Sequence, residues 1–253
     1  MYEAVRVDPD LEADGGSVAE AVSRIVETAA RYGFEGVVVR NHDDSRLEFD
    51  AQDLADEHGI DVVDGIEIRA DDPHQASGSV GNYRPQYTIL AIHGGTNALN
   101  RFAVETDKVD VLAHPMDGSG DVNHVLAKAA AANGVRLEFS FAEILRTTGG
   151  RRVRAIQSLR KLREIVDYYD APYVVSGDPE GPLEVRAPRE LCALGVELGF
   201  DREWIVDGLA EWGRLAARNR RTQSDSFIEP GVERGRYETK RGGSRGSIRR
   251  EGE

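Results

Sequence analysis

Residues 17–40 read SVAEAVSRIVETAARYGFEGVVVR. Ser17 precedes the first apolar residue, Val18, and Glu20 follows three positions after the serine, the pattern of a reciprocal helix cap. Val18, Ala21, Val22, Ile25, Val26 and Ala29 then recur at intervals of three and four, which places them on one face of a helix. Gly33 supplies the stop, because glycine enters the left-handed conformation without steric cost. Just beyond it, Val37-Val38-Val39 is apolar without alternation, as in a strand covered on both faces. A helix that buries one stripe, followed at once by such a strand, is the repeating unit of a parallel β/α fold.

The same unit recurs outward from this stretch. Strands are expected at residues 2–7, 36–40, 61–69, 87–92, 109–113, 136–140 and 172–176, and further helices at 51–57, 96–106, 122–132, 151–169, 188–198 and 202–219. Pro188 suits a first helical position. Seven strand-then-helix units in a chain of 253 residues predict a (β/α)8-like TIM barrel. No eighth strand stands out; a short or irregular segment at 183–186 is the place for one. An open doubly wound sheet is the other arrangement, but no glycine-rich phosphate fingerprint follows the first strand. The barrel domain is expected to span residues 1–221. Residues 222–253, rich in Gly, Ser, Arg and Glu, are expected to be a disordered, partly basic tail, with a cationic run at 236–250.

The chain is acidic, with a formal net charge of -13 and a pI near 5.0, which argues against a polyanionic partner. Yet lysine occurs only at 108, 128, 161 and 240, so arginine makes up 28 of the 32 basic residues. Abundant acids, scarce lysine and few large apolar residues describe a protein of a salt-loving organism. At about 1 M salt the Debye length is only about 3 Å, and contact-range charges then decide what binds. Cys192 is the single cysteine and sits in an apolar run, so no intrachain disulfide is expected and the thiol reads as a core residue. No apolar stretch approaches the roughly 20 residues of a membrane span. The first residues have no signal-peptide character, which makes the cytoplasm the expected location.

One stretch inverts the charge. Residues 144–163, ILRTTGGRRVRAIQSLRKLR, hold Arg146, Arg151, Arg152, Arg154, Arg160, Lys161 and Arg163 and no acid. Salt adaptation pushes the other way. Gly149-Gly150 opens a helix whose unpaired N–H groups favour an anion, and arginines beside them would complete a phosphate site. The alternative is a solvated face paired with the chain's own acids.

Several motifs then occur in a defined order. They are Gly33-Phe34-Glu35-Gly36, Asp110-Val111-Leu112-Ala113-His114-Pro115, Arg136-Leu137-Glu138-Phe139-Ser140-Phe141, the Arg151-Arg152 pair before a long helix, Val174-Val175-Ser176-Gly177, and Val185-Arg186-Ala187-Pro188. In this order and spacing, over about residues 1–220, the chain resembles the archaeal ribonuclease P protein component 3 family. It departs from the family in its arginine and acid content where lysine is more usual, and its tail lies outside the likeness. The resemblance implies a barrel that assists a catalytic RNA in the endonucleolytic removal of 5′ leaders from precursor tRNA. It implies no catalytic residue, metal or cofactor on this chain, with Mg2+ used by the RNA. Its partners would be that RNA, precursor tRNA, and ribonuclease P protein component 2 with the other protein subunits, in a two-plus-two assembly and away from membranes. Arg146, Arg151, Arg152, Arg154 and Lys161 are the expected RNA contacts. Arg40, Arg69, His114 and Arg186 are further candidates at the barrel rim, where Arg84 is also expected.

A competing reading is a metal-dependent phosphoesterase barrel of the polymerase-and-histidinol-phosphatase type, to which the family is distantly similar. Such barrels hold metals with a His-x-His pair after the first strand, and here that place reads Val5-Arg6-Val7-Asp8-Pro9. His42, His93 and His114 do fall at expected strand ends, near Glu67 and Asp178, and could ligate a metal. A sugar-isomerase-like barrel is a third option and would need a carboxylate-rich metal pocket. Buried pairing of the rim arginines with Glu67 or Glu138 is the structural alternative to RNA contact.

Overall fold

A computed structural model describes residues 1–7, 17–224, 227–229 and 232–233. Strands β1 (Tyr2–Val5), β2 (Gly36–His42), β3 (Asp61–Ile68), β4 (Ile89–His93), β5 (Val111–Ala113), β6 (Arg136–Ser140) and β7 (Tyr173–Ser176) pair in sequence order into one parallel sheet. Helices α1 (Val18–Tyr32), α2 (Ala51–His58), α3 (Pro73–Tyr83), α4 (Asn97–Glu105) and α5 (His124–Asn133) each link one strand to the next. The short α6 (Ala142–Arg146) and long α7 (Gly149–Tyr169) connect β6 to β7, and α8 (Pro188–Glu197) and α9 (Arg202–Gln223) follow. The fold is an α/β barrel of TIM type, nearly closed.

The reciprocal cap at Ser17 and Glu20 forms, and Gly33 ends α1 with φ +88°. Helices α2, α3, α4 and α5 begin on Asp50, Asp72, Thr96 and Asn123, whose side chains accept first-turn N–H groups, satisfying donors that have no partner within the helix. Helices α3 and α6 depart from the sequence expectation. The α3 sequence, PHQASGSVGNY, buries only Ala76 and Val80, so its apolar stripe is too thin to register as a period. Its start is nonetheless marked by Asp72 and Pro73.

The expected eighth strand is corrected: residues Pro182–Glu184 form a single 3-10 turn. Strands β1 and β7 share no ladder, and two devices bridge the seam. The buried Glu3 carboxylate accepts the N–H of Ala4 at 3.0 Å and of Gly177 at 2.9 Å, and the Arg6 N–H donates to the Pro179 carbonyl at 2.9 Å. Outside the seam lies α9, whose Trp212 Nε1 donates to the free Val175 carbonyl of β7 at 2.9 Å. Gly208 and Gly213 permit that approach, since a Cβ at either would stand 2.4 Å from Val175 or Tyr2. Farther along, Asn219, Arg220 and Gln223 donate to the carbonyls of Thr88, Val62 and Tyr87. Thus α9 stands in for a strand and then runs under the N-terminal end of the barrel.

Two apolar layers result. The larger lies between strands and helices, and a smaller one inside the barrel joins Ala4, Val38, Val63, Ile89, Ala91, Val111, Ala113 and Val174 to Trp212, Leu215 and Ala216. Past α9, Phe227–Glu229 (β8) and Val232–Glu233 (β9) pair antiparallel. The cationic run at 236–250 and the acidic loop at 8–16 lie outside the described residues.

The barrel mouth as candidate functional site

Alternation along a strand sends every second side chain inward. Two residues above Val38 the next inward position is Arg40, and it meets Glu67 of β3 and Glu138 of β6, with Ser176 of β7 beside them. Arg40 is fully buried and donates to Glu67 Oε2 at 2.5 Å, to Glu138 Oε1, and to Asp178 Oδ1 at 3.3 Å. Its guanidinium also lies 5.5 Å from the centre of the Trp212 ring, so the apolar floor and polar layer meet there. Ser176 Oγ donates to Glu138 Oε1 at 2.6 Å.

The next polar groups face the mouth. His93 Nδ1 lies 2.6 Å from Glu67 Oε1, with His42 Nε2 at 3.4 Å and His114 Nε2 at 3.9 Å from the same oxygen. Arg6 donates to Asp178 Oδ2 at 2.6 Å, to His42 Nε2 at 3.0 Å and to Glu180 at 3.2 Å. Burial alone would raise the pKa of Glu67, but the Arg40 charge, followed by the neighbouring imidazoles of His42 and His93, holds it well below the carboxylate range. Burial pushes Asp178 up against the opposing pull of Arg40, His114 and Arg6. His114 and Asp178 both adopt left-handed backbone, with φ 48° and 50°, a conformation that costs a non-glycine residue about 1–3 kcal/mol.

Above this layer opens a cavity of about 750 Å3, lined among others by Arg6, Arg69, His93, His114, Arg146 and Arg154. The cluster offers little as acid–base machinery, because Glu67, Glu138 and Asp178 are all held by the guanidinium of Arg40. It is instead a charge-balanced plug beneath a partly cationic rim.

The arginine island divides. Arg146 is locked onto Glu180, Glu184 and the Asp178 carbonyl. Lys161 pairs with Asp121 at 2.7 Å, Arg160 donates to the Leu198 carbonyl, and Arg163 engages Asp201 and the Gly199 carbonyl. By contrast Arg151, Arg152 and Arg154 form no hydrogen bond or ion pair among the described residues, and Arg151 and Arg154 are exposed. They follow Gly149, whose φ of +59° turns the chain into α7.

The other rim candidates fare differently. Arg40 is corrected: it has no accessible surface with which to touch RNA and is the buried ion-pair partner of Glu67 and Glu138. Arg84 lies at the opposite end of the barrel, bonded to Asp110 and to the Tyr87 and Thr88 carbonyls. Arg186 folds back onto the Leu183 and Val185 carbonyls. Arg69 is half-exposed on the cavity wall, with Asp44 4.0 Å away. His114 is nine-tenths buried and faces the cluster. Arg6 escapes the sequence reading, although its position after the first strand places it at the mouth.

The fold and mouth define a class: a parallel β/α barrel whose C-terminal opening is occupied by buried arginine–carboxylate pairs beneath exposed arginines. The sequence matches the model of the RNase P subunit p30 family over residues 1–224, and the chain belongs to that family. It is 59% identical over 232 residues to ribonuclease P protein component 3 of Natronomonas pharaonis, covering 92% of this chain and 94% of that one. Identity is 53% to the Haloarcula marismortui protein of that name, over 92% of this chain and 96% of its own, and 32% to that of Methanosarcina mazei, over 85% and 90%. In fold it resembles a chain in the cryo-EM structure of an archaeal ribonuclease P with mature tRNA. The TM-score is 0.75 at 23% identity, and 92% of this chain and 97% of that one are covered. A ribonuclease P protein subunit, the main reading of the sequence, therefore prevails over the phosphoesterase alternative. The high identity to proteins of salt-loving archaea accords with the acidic, arginine-biased composition.

Proposed function

We propose that this chain braces the catalytic RNA of ribonuclease P through the unpartnered arginines at the start of α7 during removal of 5′ leaders from precursor tRNA. The RNA, with Mg2+, carries out phosphodiester hydrolysis, and the protein contributes no catalytic group. The observation that carries this reading is the contrast within the island. Arg151, Arg152 and Arg154 have no carboxylate partner among the described residues, in a chain whose acids outnumber its bases by 45 to 32. In such a chain an unpaired cation cluster marks a place where an external polyanion supplies the missing charge. The free N–H groups of the first α7 turn, which no side chain caps, point the same way.

Arg69, across the cavity from Arg154, extends the surface. Arg146, His114, Lys161 and Arg186 contribute through the shape of the rim, since each is already engaged or turned inward. The partners are ribonuclease P protein component 2 and the other protein subunits, in a two-plus-two assembly. The compartment is the cytoplasm; no helix among the described residues is long and apolar enough to cross a membrane.

The test is reconstitution with the RNA and the partner proteins. Replacing Arg151, Arg152 and Arg154 together by alanine is expected to lower cleavage at limiting Mg2+ at least about tenfold. Added Mg2+ should restore it, and the salt dependence of RNA binding should become shallower by about one unit for each phosphate that the variant no longer neutralises. Arg31→Ala, an exposed arginine on α1, is the control. A triple variant that cleaves and binds like the parent chain at every Mg2+ concentration would refute the assignment.

A further inference from the structure

We propose that the barrel mouth binds one divalent transition-metal ion, of the zinc type, on His42, His93 and His114 around Glu67 Oε1. The four residues come from the C-terminal ends of β2, β3 and β4 and the turn after β5. His42, Glu67 and His93 each direct a ligand atom into one space, all within 4.8 Å of one another. His114 Nε2 stands 3.9 Å from the shared Glu67 oxygen. Ligand atoms around a four-coordinate zinc at about 2.0–2.1 Å are roughly 3.3 Å apart; His42, Glu67 and His93 are already gathered, and His114 must swing inward to complete the set.

Two further observations point to a ligand. His114 is nine-tenths buried, and its Nε2 stands 3.4 Å from Asp178 Oδ2 without making a hydrogen bond to any described residue. A buried polar atom without a well-formed hydrogen bond is destabilising. The same residue carries the left-handed φ of 48°, and that backbone turn aims the ring into the cluster. Strain and an unmatched donor-acceptor atom thus coincide at one side chain. Zinc coordination would use the Nε2 lone pair and give the strained conformation a purpose.

The donor chemistry selects the ion. Three imidazoles and one carboxylate suit zinc and its first-row neighbours, whereas Mg2+ and Ca2+ prefer oxygen donors. Glu67 is held in place from behind by Arg40 through its other oxygen, as outer groups orient metal ligands in built sites. Arg6 is the competitor: it donates to His42 Nε2 at 3.0 Å and would release that bond, keeping those to Asp178 and Glu180. The ion's role here is to tie four strand ends together. The carboxylates that would activate water are committed to guanidiniums.

The test uses the full chain after chelation. Zn2+ is titrated in competition with a chromophoric chelator, and Co2+ is followed by visible absorption. One ion per chain is expected, unaffected by millimolar Mg2+, with the intense Co2+ bands of a four-coordinate site. His93→Ala and His114→Ala should each weaken binding at least about tenfold, while His58→Ala and His124→Ala, outside the mouth, should not. On the unsubstituted chain, one equivalent of Co2+ should perturb the ring NMR signals of His42, His93 and His114 and spare those of His58, His74 and His124. This readout stands even if a variant fails to fold. Binding that is multiple and weak, a six-coordinate Co2+ spectrum, or perturbation of the outer histidines alone would overturn the proposal. Ribonuclease P reconstitution is a separate measurement, so failure here leaves the RNA-binding assignment untouched.

Discussion

Arg40 and Glu3 show how much depends on single charged groups inside this barrel. Arg40 neutralises Glu67, Glu138 and Asp178 where none of the three has accessible surface. Removing one partner of a buried ionic group costs about 3–5 kcal/mol, so Arg40→Met is expected to lower stability by that amount in urea unfolding. Arg151→Ala, at an exposed unpartnered site, should change it by less than about 0.5 kcal/mol. Comparable losses in the two variants would mean that Arg40 is not the keystone of the cluster. Glu3 presents a pH effect of known sign. Burial raises its carboxyl from 4.5 to about 8, against the lowering effect of the Gly177 and Ala4 N–H groups. Between those values the folded chain holds a proton that the unfolded chain has released. The contribution of Glu3 to stability is therefore complete below about pH 4.5 and is lost as pH rises toward 8, at up to about 1.4 kcal/mol per pH unit. Glu3→Gln should flatten the stability profile between about pH 5 and pH 9. Parallel profiles for parent and variant would show that Glu3 does not titrate in that window. Cluster membership could not be read from residue type alone. Arg40 and Arg69 both stand near strand ends, yet one is sealed inside and the other half-exposed, because Arg40 lies within β2, inside the barrel, whereas Arg69 lies just past the end of β3, at the mouth.

Among the elements, α9 has the most unusual task. It fills the position where an eighth strand would close the barrel, and Trp212 is buried between the inner core and the β7 edge. Trp212→Ala is expected to cost about 3–5 kcal/mol. Gly208→Ala gives a sharper test, because two effects oppose. In an exposed helix the change would stabilise by up to about 1 kcal/mol. Here the new Cβ would meet Val175 at 2.4 Å and Tyr173 at 2.9 Å, so a net loss of about 1–3 kcal/mol is expected. A gain in thermal midpoint would show that α9 can retreat from the seam. The helical period of residues 202–219 was legible, and so was the basic character of α7. What the linear pattern did not contain was the division of α7 into an unpartnered start and an engaged later part. Asp121, Asp201 and the Leu198 carbonyl, which take up Lys161, Arg163 and Arg160, come from distant points of the chain.

For the whole molecule, a net charge of -13 means that self-repulsion opposes the compact state in dilute salt. Raising KCl from about 0.1 M to about 3 M shortens the screening length to a few ångströms or less and is expected to raise the thermal midpoint by several degrees. A flat or falling midpoint would show that the acids are balanced locally rather than by the solvent. The sequence by itself determined the parallel β/α order, the cap and stop of α1, the family, and the presence of an arginine island. Those features are written in local periodicity, in residue types with special backbone demands, and in ordered motifs, all carried by neighbours in the chain. The convergence of three histidines near Glu67 was already expected from their places at strand ends. Only the tertiary structure decided that a helix and the Glu3 carboxyl close the barrel, that Arg40 is buried, and which arginines remain free. Each of these depends on which distant side chains meet across the barrel, and on burial that makes an unpaired charge costly. Proximity and burial are properties of the folded arrangement and have no signature in a single stretch of chain.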